Sequence, residues 1–203
     1  MLTIEQGLAR PVWVRTGQVR LVCQNHTGLF NMIVRVHGKN LPKKFRLGVY
    51  GMTELTMRDL LDNRRVVNNL EIDIHFRHHT DNGEAMIHEN EFRSRPRKFR
   101  VIIDPHKVRI DDYGRELDDE EFANECFKVL GHELVHVKQY VTGDLAIRAK
   151  GMYWKGELTN NTSMKEYFKS PWEVEAYGLE RYLWMNFIDF WSENIEKKLD
   201  MSE

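Results

Sequence analysis

The strongest constraint on the fold is the stretch of residues 118–141, in which apolar residues recur at steps of three and four. This spacing puts them on one side of an α-helix and predicts a long amphipathic helix. Acidic residues begin the stretch, where the helix dipole favours negative charge, and Gly143 ends it. The apolar positions are Phe122, Cys126, Val129, Leu130, Val137 and Val141.

The same helix carries the motif H-E-x-x-H, as His132, Glu133 and His136 with two apolar residues between. Histidines four residues apart lie one turn apart on one helical face and can supply two ligands to a zinc ion. Glu133 then lies beside the metal without binding it. A carboxylate in that position can take a proton from water that the metal activates, so the motif predicts a catalytic glutamate between two ligands.

The plain alternative is a surface helix that carries two histidines and a glutamate by chance. On a helical wheel, His132 and His136 fall at the edge of the apolar face and Glu133 falls within it. A carboxylate on an apolar face costs free energy unless it has a partner. We therefore expect the motif to be largely buried and to be paired.

A third ligand is expected from a second helix, which the pattern predicts from Trp172 to about residue 198. Pro171 suits its first turn and Ser170 suits its cap. Glu173 and Glu175 both begin this helix, but they are about 200° apart around its axis, so only one can face the metal. Glu173 is the predicted ligand. The apolar positions are Ala176, Leu179, Leu183, Phe187 and Phe190.

H-E-x-x-H followed by E-x-x-A, here beginning at Glu173, resembles the gluzincin group of zinc metallopeptidases, in which that glutamate is the third ligand. The segments HELVHVKQY at 132–140, YWKG at 153–156 and SPWEVEAYG at 170–178 resemble small phage-encoded metallopeptidase-like proteins. The resemblance covers about residues 98–180. It implies an α+β, zincin-like fold, in which a small twisted mixed or antiparallel sheet packs on the metal helix and a long C-terminal helix.

The resemblance also implies one Zn²⁺ ion bound by His132, His136 and Glu173, with Glu133 as the general base. The implied activity is that of an endopeptidase acting on a peptide or protein substrate. The chain departs from the pattern at Tyr177, where many gluzincins have an acidic residue that orients a histidine ligand. The hydrogen bonds that orient the metal ligands are therefore expected to differ here.

Three further side chains are candidates for supporting roles at this site. Tyr153 and Tyr177 are the candidate donors to the oxyanion of the reaction, with packing as the alternative role for each. Gln139, three residues after His136, either bonds to that ligand or caps a solvated face.

The rest of the chain predicts a β-rich extension at 1–52 and a zincin-like domain at 53–203, or one compact unit of both. Strands are predicted at 18–23, 31–37, 71–76, 85–88 and 98–103, and a helix at 53–68 capped by Thr53 or Thr56. The strand 85–88 is expected to pair back on 71–76. The strand 98–103 is expected to border the cleft and to pair with an extended substrate.

Composition limits the class of protein. The chain has 203 residues and 41% hydrophobic content, as expected of one globular domain. Its net charge of −1 gives it no strong overall electrostatic field. The two cysteines, Cys23 and Cys126, do not form a disulfide framework, which favours a reducing compartment. No signal peptide or membrane span is found, so the predicted location is the cytoplasm, or the virion if the protein is phage-encoded. Oligomeric state stays open.

Two other functions are kept as alternatives. A basic cluster at 93–100, formed by arginines and Lys98, is typical either of phosphate binding or of a charged edge that prevents strand pairing. The first reading predicts a nucleic-acid-associated protease. The other alternative is a catalytically inert zincin-fold module for binding or virion assembly, although the presence of Glu133 argues against it.

Overall fold

The computed structural model describes the backbone of residues 9–13 and 19–23, and residues 32–91, 93–159 and 163–193 with their side chains. The described chain is a mixed α+β protein, as predicted. Its strands are β1 (Ala9–Trp13), β2 (Val19–Cys23), β3 (Ile33–His37), β4 (Glu71–Phe76), β5 (Gly83–Ile87), β6 (Lys98–Ile103), β7 (Leu145–Arg148), β8 (Gly151–Trp154) and β9 (Glu157–Leu158). Its helices are α1 (Lys43–Leu60), α2 (Arg64–Asn68), α3 (Pro105–Val108), α4 (Asp119–Thr142), α5 (Met164–Phe168) and α6 (Pro171–Trp191).

The central sheet has four strands in the order β3-β4-β6-β5, with β3, β4 and β6 parallel and β5 antiparallel to β6. The predicted alternation in β4 is confirmed, because Ile72, Ile74 and Phe76 are buried and the residues between them are half-buried. Strands β1 and β2 form a separate antiparallel pair. Strands β7, β8 and β9 form a small antiparallel sheet that follows α4.

The predicted motif helix is confirmed as α4, and its ends follow from its sequence. Asp118 and Glu121 form a reciprocal capping box, and Gly143 ends the helix with a φ of 83°, which suits glycine best. Helix α4 contacts α1, α6, β5 and β6, so it lies at the centre of the molecule. Phe127 of α4 stacks on Phe45 of α1 and packs on Phe187 of α6.

The prediction of one helix over 53–68 is wrong at both ends. Helix α1 begins ten residues earlier, and α2 is a separate short helix capped by the side chain of Asn63. Thr53 is no cap, because it is buried within α1 and its hydroxyl donates a hydrogen bond to the Val49 carbonyl. The predicted boundary between residues 52 and 53 falls inside α1. Residues 32–52 therefore share one core with the rest of the described chain.

The predicted pairing of the strand at 85–88 with 71–76 is also wrong. Strand β5 pairs with β6, which lies between β4 and β5. Strand β6 suits an interior position because Phe99, Val101 and Ile103 are fully buried, whereas β5 is only partly buried. Strand β6 is therefore an interior strand and not the edge that was expected, and the edge strands of this sheet are β3 and β5.

The predicted second long helix is confirmed as α6 from Pro171 to Trp191. The rest of its predicted length, beyond residue 193, lies outside the described residues, as do the side chains of most of the proposed N-terminal extension. Among the described residues, the helices lack the combined length and apolar character that crossing a bilayer requires.

Candidate metal centre

Helices α4 and α6 bring three predicted ligands together. His132 and His136 lie on the α4 face that packs on the first turn of α6, where Glu173 is 2% exposed. One donor atom from each of the three residues lies within 4.8 Å of the other two. The Nε2 atoms of the two histidines are 3.2 Å apart, and the Glu173 carboxylate oxygens are 3.3 Å and 3.4 Å from them.

These distances fit a tetrahedral ion. Ligands about 2.0–2.1 Å from a tetrahedral zinc ion are about 3.3–3.4 Å from one another. Each histidine Nε2 lies at this distance from one of the two Glu173 oxygens, Oε2 for His132 and Oε1 for His136. Two imidazoles and a carboxylate also suit zinc chemically, and three protein ligands leave one position open. Glu173 Oε1 is buried and has no hydrogen-bond partner among the described residues. A bound cation would be a partner for this oxygen.

The choice between the two glutamates of α6 follows from their surroundings. Glu175 lies on a different side of the helix from Glu173, where its carboxylate accepts hydrogen bonds of 2.8 Å from Lys138 and from Gln139. These bonds satisfy both of its oxygens. Glu173 therefore faces the two histidines, while Glu175 helps to join α6 to α4.

Gln139 forms a hydrogen bond to His136, one of the predicted ligands. This is one of the two roles that the sequence left open. It is fully buried, and its Oε1 lies 2.9 Å from His136 Nδ1, so the ring nitrogen donates to the amide oxygen. Its amide nitrogen donates to the Trp172 carbonyl and to Glu175. A proton fixed on Nδ1 leaves His136 Nε2 free to bind a metal.

Replacing Gln139 with leucine is expected to weaken zinc binding by about 10–100-fold, because the orienting bond to His136 is lost. Affinity is measured by competition with a chromogenic chelator. The control is Lys138→Leu, which removes a bond to Glu175 but no bond to His136, and it should bind zinc like the wild type. Equal losses in both variants would assign the effect to the contact between α4 and α6 and contradict an orienting role.

Glu180 is a site residue that sequence reasoning missed. Its Oε2 lies 3.3 Å from His132 Nδ1, the ring nitrogen that does not face Glu173. The expected acidic residue is absent at Tyr177, but Glu180 lies one turn further along the same face of α6 and supplies a carboxylate to the first histidine. The seven-residue step from Glu173 to Glu180 is the sequence signal that marks a shared helical face.

The structure separates the two predicted tyrosines and adds a third. The Tyr177 ring packs edge-on against the His132 ring at 4.5 Å between centroids, and its side chain is half-exposed. Tyr167 of α5, which was not predicted, donates a hydrogen bond to Glu173. Tyr153 lies in β8 beneath the guanidinium of Arg148, and no contact in the described part of the chain joins it to the three ligands.

Glu133 lies beside the ligands and outside their set. It is 5% exposed, and its carboxylate accepts a hydrogen bond from the backbone N–H of Ala85 in β5. Burial, which the nearby charge of His132 only partly offsets, raises the pKa of Glu133 to about 8. A Cβ atom at Gly83 would lie 2.7 Å from Glu133 Oε1, so only glycine allows β5 to approach this closely.

The charges of the site compensate one another. Burial opposes protonation of His132, but its interactions with Glu173 and Glu180 outweigh burial and raise its pKa to about 9. Burial lowers the pKa of His136. Although burial acts against it, His132 and His136 hold the pKa of Glu173 below its ordinary value. The carboxylates thus stabilise positive charge at this point, as a proton or as a metal ion.

Comparisons of the chain with protein-family models, with characterised proteins and with solved structures gave no match.

Proposed function

We propose that this protein is a zinc-dependent metallopeptidase with a zincin-like arrangement of sheet and helices. One observation carries the proposal: donor atoms of His132, His136 and Glu173 lie within 4.8 Å of one another, and Glu133 lies buried beside them outside this group. Ligands without a nearby base would fit a structural metal equally well. A buried carboxylate next to an open metal position favours hydrolysis.

Glu133 is proposed to move the proton. A zinc ion in this position supplies a Lewis acid that polarises a carbonyl group and acidifies water. Burial raises the pKa of Glu133, and a zinc ion beside it would lower that pKa, so the carboxylate is suited to accept a proton from water and return it to a leaving amine. The hydrogen bond from Ala85 helps to position the carboxylate.

A donor to the oxyanion is needed besides the metal. Of the two tyrosines predicted for this role, Tyr177 contacts the ligand His132, whereas Tyr153 contacts Arg148. The hydroxyl of Tyr167 already donates to Glu173, so Tyr167 supports the ligand. We assign the donor role to Tyr177 and propose that Tyr153 positions Arg148.

Strand β5 is the proposed binding edge for an extended peptide. The N–H of His88 donates to the Lys98 carbonyl, and the N–H of Asp104 donates to the Asn82 carbonyl. In an antiparallel pair such bonded positions alternate, so the backbone groups of Gly83, Ala85 and Ile87 face away from β6. The N–H of Ala85 already donates to Glu133, so a peptide would pair with the other outward groups of these residues and pass directly beside Glu133.

The proposal is tested by metal-dependent cleavage of an unfolded protein. Zinc-loaded protein is incubated with casein, and new peptide termini are identified by mass spectrometry. We expect cleavage that 1,10-phenanthroline abolishes and that added zinc restores, because the chelator removes the Lewis acid. Cleavage that persists in the chelator would contradict a metal mechanism. Bound zinc without cleavage of casein or of a peptide library would favour the inert binding module.

A further inference from the structure

A basic surface pocket of about 310 Å³ lies at the end of β5 that is far from Gly83. It is formed by the last residue of β5, the loop before β6, the C-terminal end of α4 and strand β7. Ile87 and Tyr140 belong to its wall. Tyr140 is seven residues after Glu133 on α4, so the pocket lies about 10 Å along the helix from the proposed base.

Three guanidinium groups give the pocket its charge. Arg93, Arg95 and Arg148 line it, and the Arg148 guanidinium also lies 4.6 Å from the ring centre of Tyr153, at the border of the pocket. Burial and then the positive charges of Arg93 and Arg95 lower the pKa of neighbouring Arg97. Positive charge is therefore concentrated around this loop.

The nearby acidic groups leave most of this charge uncompensated. Glu91 lies 3.8 Å from Arg93, while Asp144 already accepts a hydrogen bond from Thr142 and lies 3.8 Å from Lys138. In the described part of the chain, neither Arg95 nor Arg148 forms an ion pair. An anionic group that enters the pocket would meet at least these two guanidiniums.

The pocket fits a single carboxylate better than a nucleic acid. Lys98 and Arg100 were predicted to belong to one basic cluster with Arg93 and Arg95. They lie on β6, where Lys98 is near Glu71 and Arg100 is near Glu89. The guanidinium of Arg97 donates to three backbone carbonyls. The cluster is thus divided, and among the residues that the structure describes it does not form a continuous basic track for a phosphate backbone. Arginine side chains that line a small pocket suit a single carboxylate, which a guanidinium can bind through two hydrogen bonds.

The position of the pocket connects it with the proposed active site. Residues advance about 3.4 Å each along an extended strand, so a peptide that lies on β5 beside Glu133 reaches Ile87 after about three residues. We propose that the pocket binds a carboxylate of the peptide substrate, from an acidic side chain or the C-terminus, about three residues from the cleaved bond. This inference rests on the proposed peptidase function.

The binding test uses the zinc-loaded Glu133→Gln variant, which is expected not to cleave its ligand. Fluorescent ten-residue peptides with an Ala-Thr repeat and an amidated C-terminus carry one glutamate at successive positions, and a matched set carries glutamine. A third peptide has no glutamate but a free C-terminal carboxylate. Fluorescence anisotropy gives the affinities. Comparison with the glutamine set reveals a preference for an acidic side chain, and the peptide with the free carboxylate reveals a preference for the C-terminus.

We expect one glutamate position, or the free terminus, to bind at least about tenfold more tightly than its neutral counterpart. Arg95→Glu and Arg148→Glu should each remove that difference. Arg64→Glu, an exposed change of equal charge on α2, should retain it. Arg95 and Arg148 are both exposed, so folding of their variants is expected to survive and is checked by thermal unfolding.

Equal affinity for neutral and acidic peptides, or a preference that survives both pocket variants, would overturn the proposal. So would tighter arginine-dependent binding of a labelled oligothymidine than of any acidic peptide. Failure of the two proposals is distinguishable. If the wild type cleaves peptides without a preference for acidic ones, the peptidase proposal stands and the pocket proposal fails. If acidic peptides bind in an arginine-dependent way but the wild type cleaves nothing, the carboxylate site stands and the peptidase proposal fails.

Discussion

Replacing Glu173 with alanine is expected to remove stoichiometric zinc, while Glu175→Ala retains about one ion per chain. Glu173 is the only carboxylate of the described chain grouped with both histidines, and two imidazoles alone make an incomplete zinc site. Loss of a side chain that merely orients a ligand costs about 10–100-fold in affinity, and loss of a ligand should exceed that. Elemental analysis of the purified variants measures the zinc content.

Glu175→Ala is a matched control because it removes a carboxylate from the same turn of the same helix. It removes one acceptor from Lys138 and one from Gln139, which keeps its bond to the Trp172 carbonyl, so it should lower stability more than zinc content. Equal zinc loss in both variants would mean that the contact between α4 and α6, and not one ligand, holds the ion. Zinc retained in Glu173→Ala would contradict the proposed ligand set.

Replacing Glu133 with glutamine is expected to lower peptide turnover by about 10²–10⁴-fold, the usual contribution of a general base. Zinc content should not change, because Glu133 lies outside the ligand set. Glutamine has nearly the same shape and can still accept the hydrogen bond from Ala85. Turnover of the casein-derived peptide that the wild type cleaves fastest measures the effect.

A companion variant, Gly83→Ala, separates the position of this carboxylate from its chemistry. The added Cβ would lie 2.7 Å from both Glu133 Oε1 and Val129 Cγ1, so Glu133 must move while remaining a base. We expect an intermediate loss of turnover with full zinc content. Wild-type turnover in Glu133→Gln would contradict the role of Glu133, whatever the result for Gly83→Ala.

Local periodicity allowed the two long helices to be predicted before the structure. The spacing of apolar residues determined α4, and the acidic cap and Gly143 placed its ends within one residue. A four-residue step then requires His132 and His136 to share a face. The 200° separation of Glu173 and Glu175 likewise required that only one of them face α4. These properties depend on one helix at a time.

The errors concern features that local patterns do not encode. Thr53 resembles a helix cap in sequence, but inside α1 it is buried and bonds to its own helix. The strand at 85–88 was expected to pair back on 71–76, but β6 lies between β4 and β5, where its buried residues are covered by a strand on each side. Strand order depends on contacts between distant segments.

The sequence by itself determined the helical faces, and with them the shared face of His132 and His136, since helical geometry is fixed by residue spacing. Spacing also required that only one of Glu173 and Glu175 face α4, and the resemblance to gluzincins favoured Glu173. Only the tertiary structure decided which side chains complete the site. Glu180 and Tyr167 reach the ligands, and β5 instead of β6 reaches Glu133, because α5, α6 and β5 pack around α4. The physical reason is that spacing along one element fixes direction, whereas contact between elements depends on how the whole core is filled.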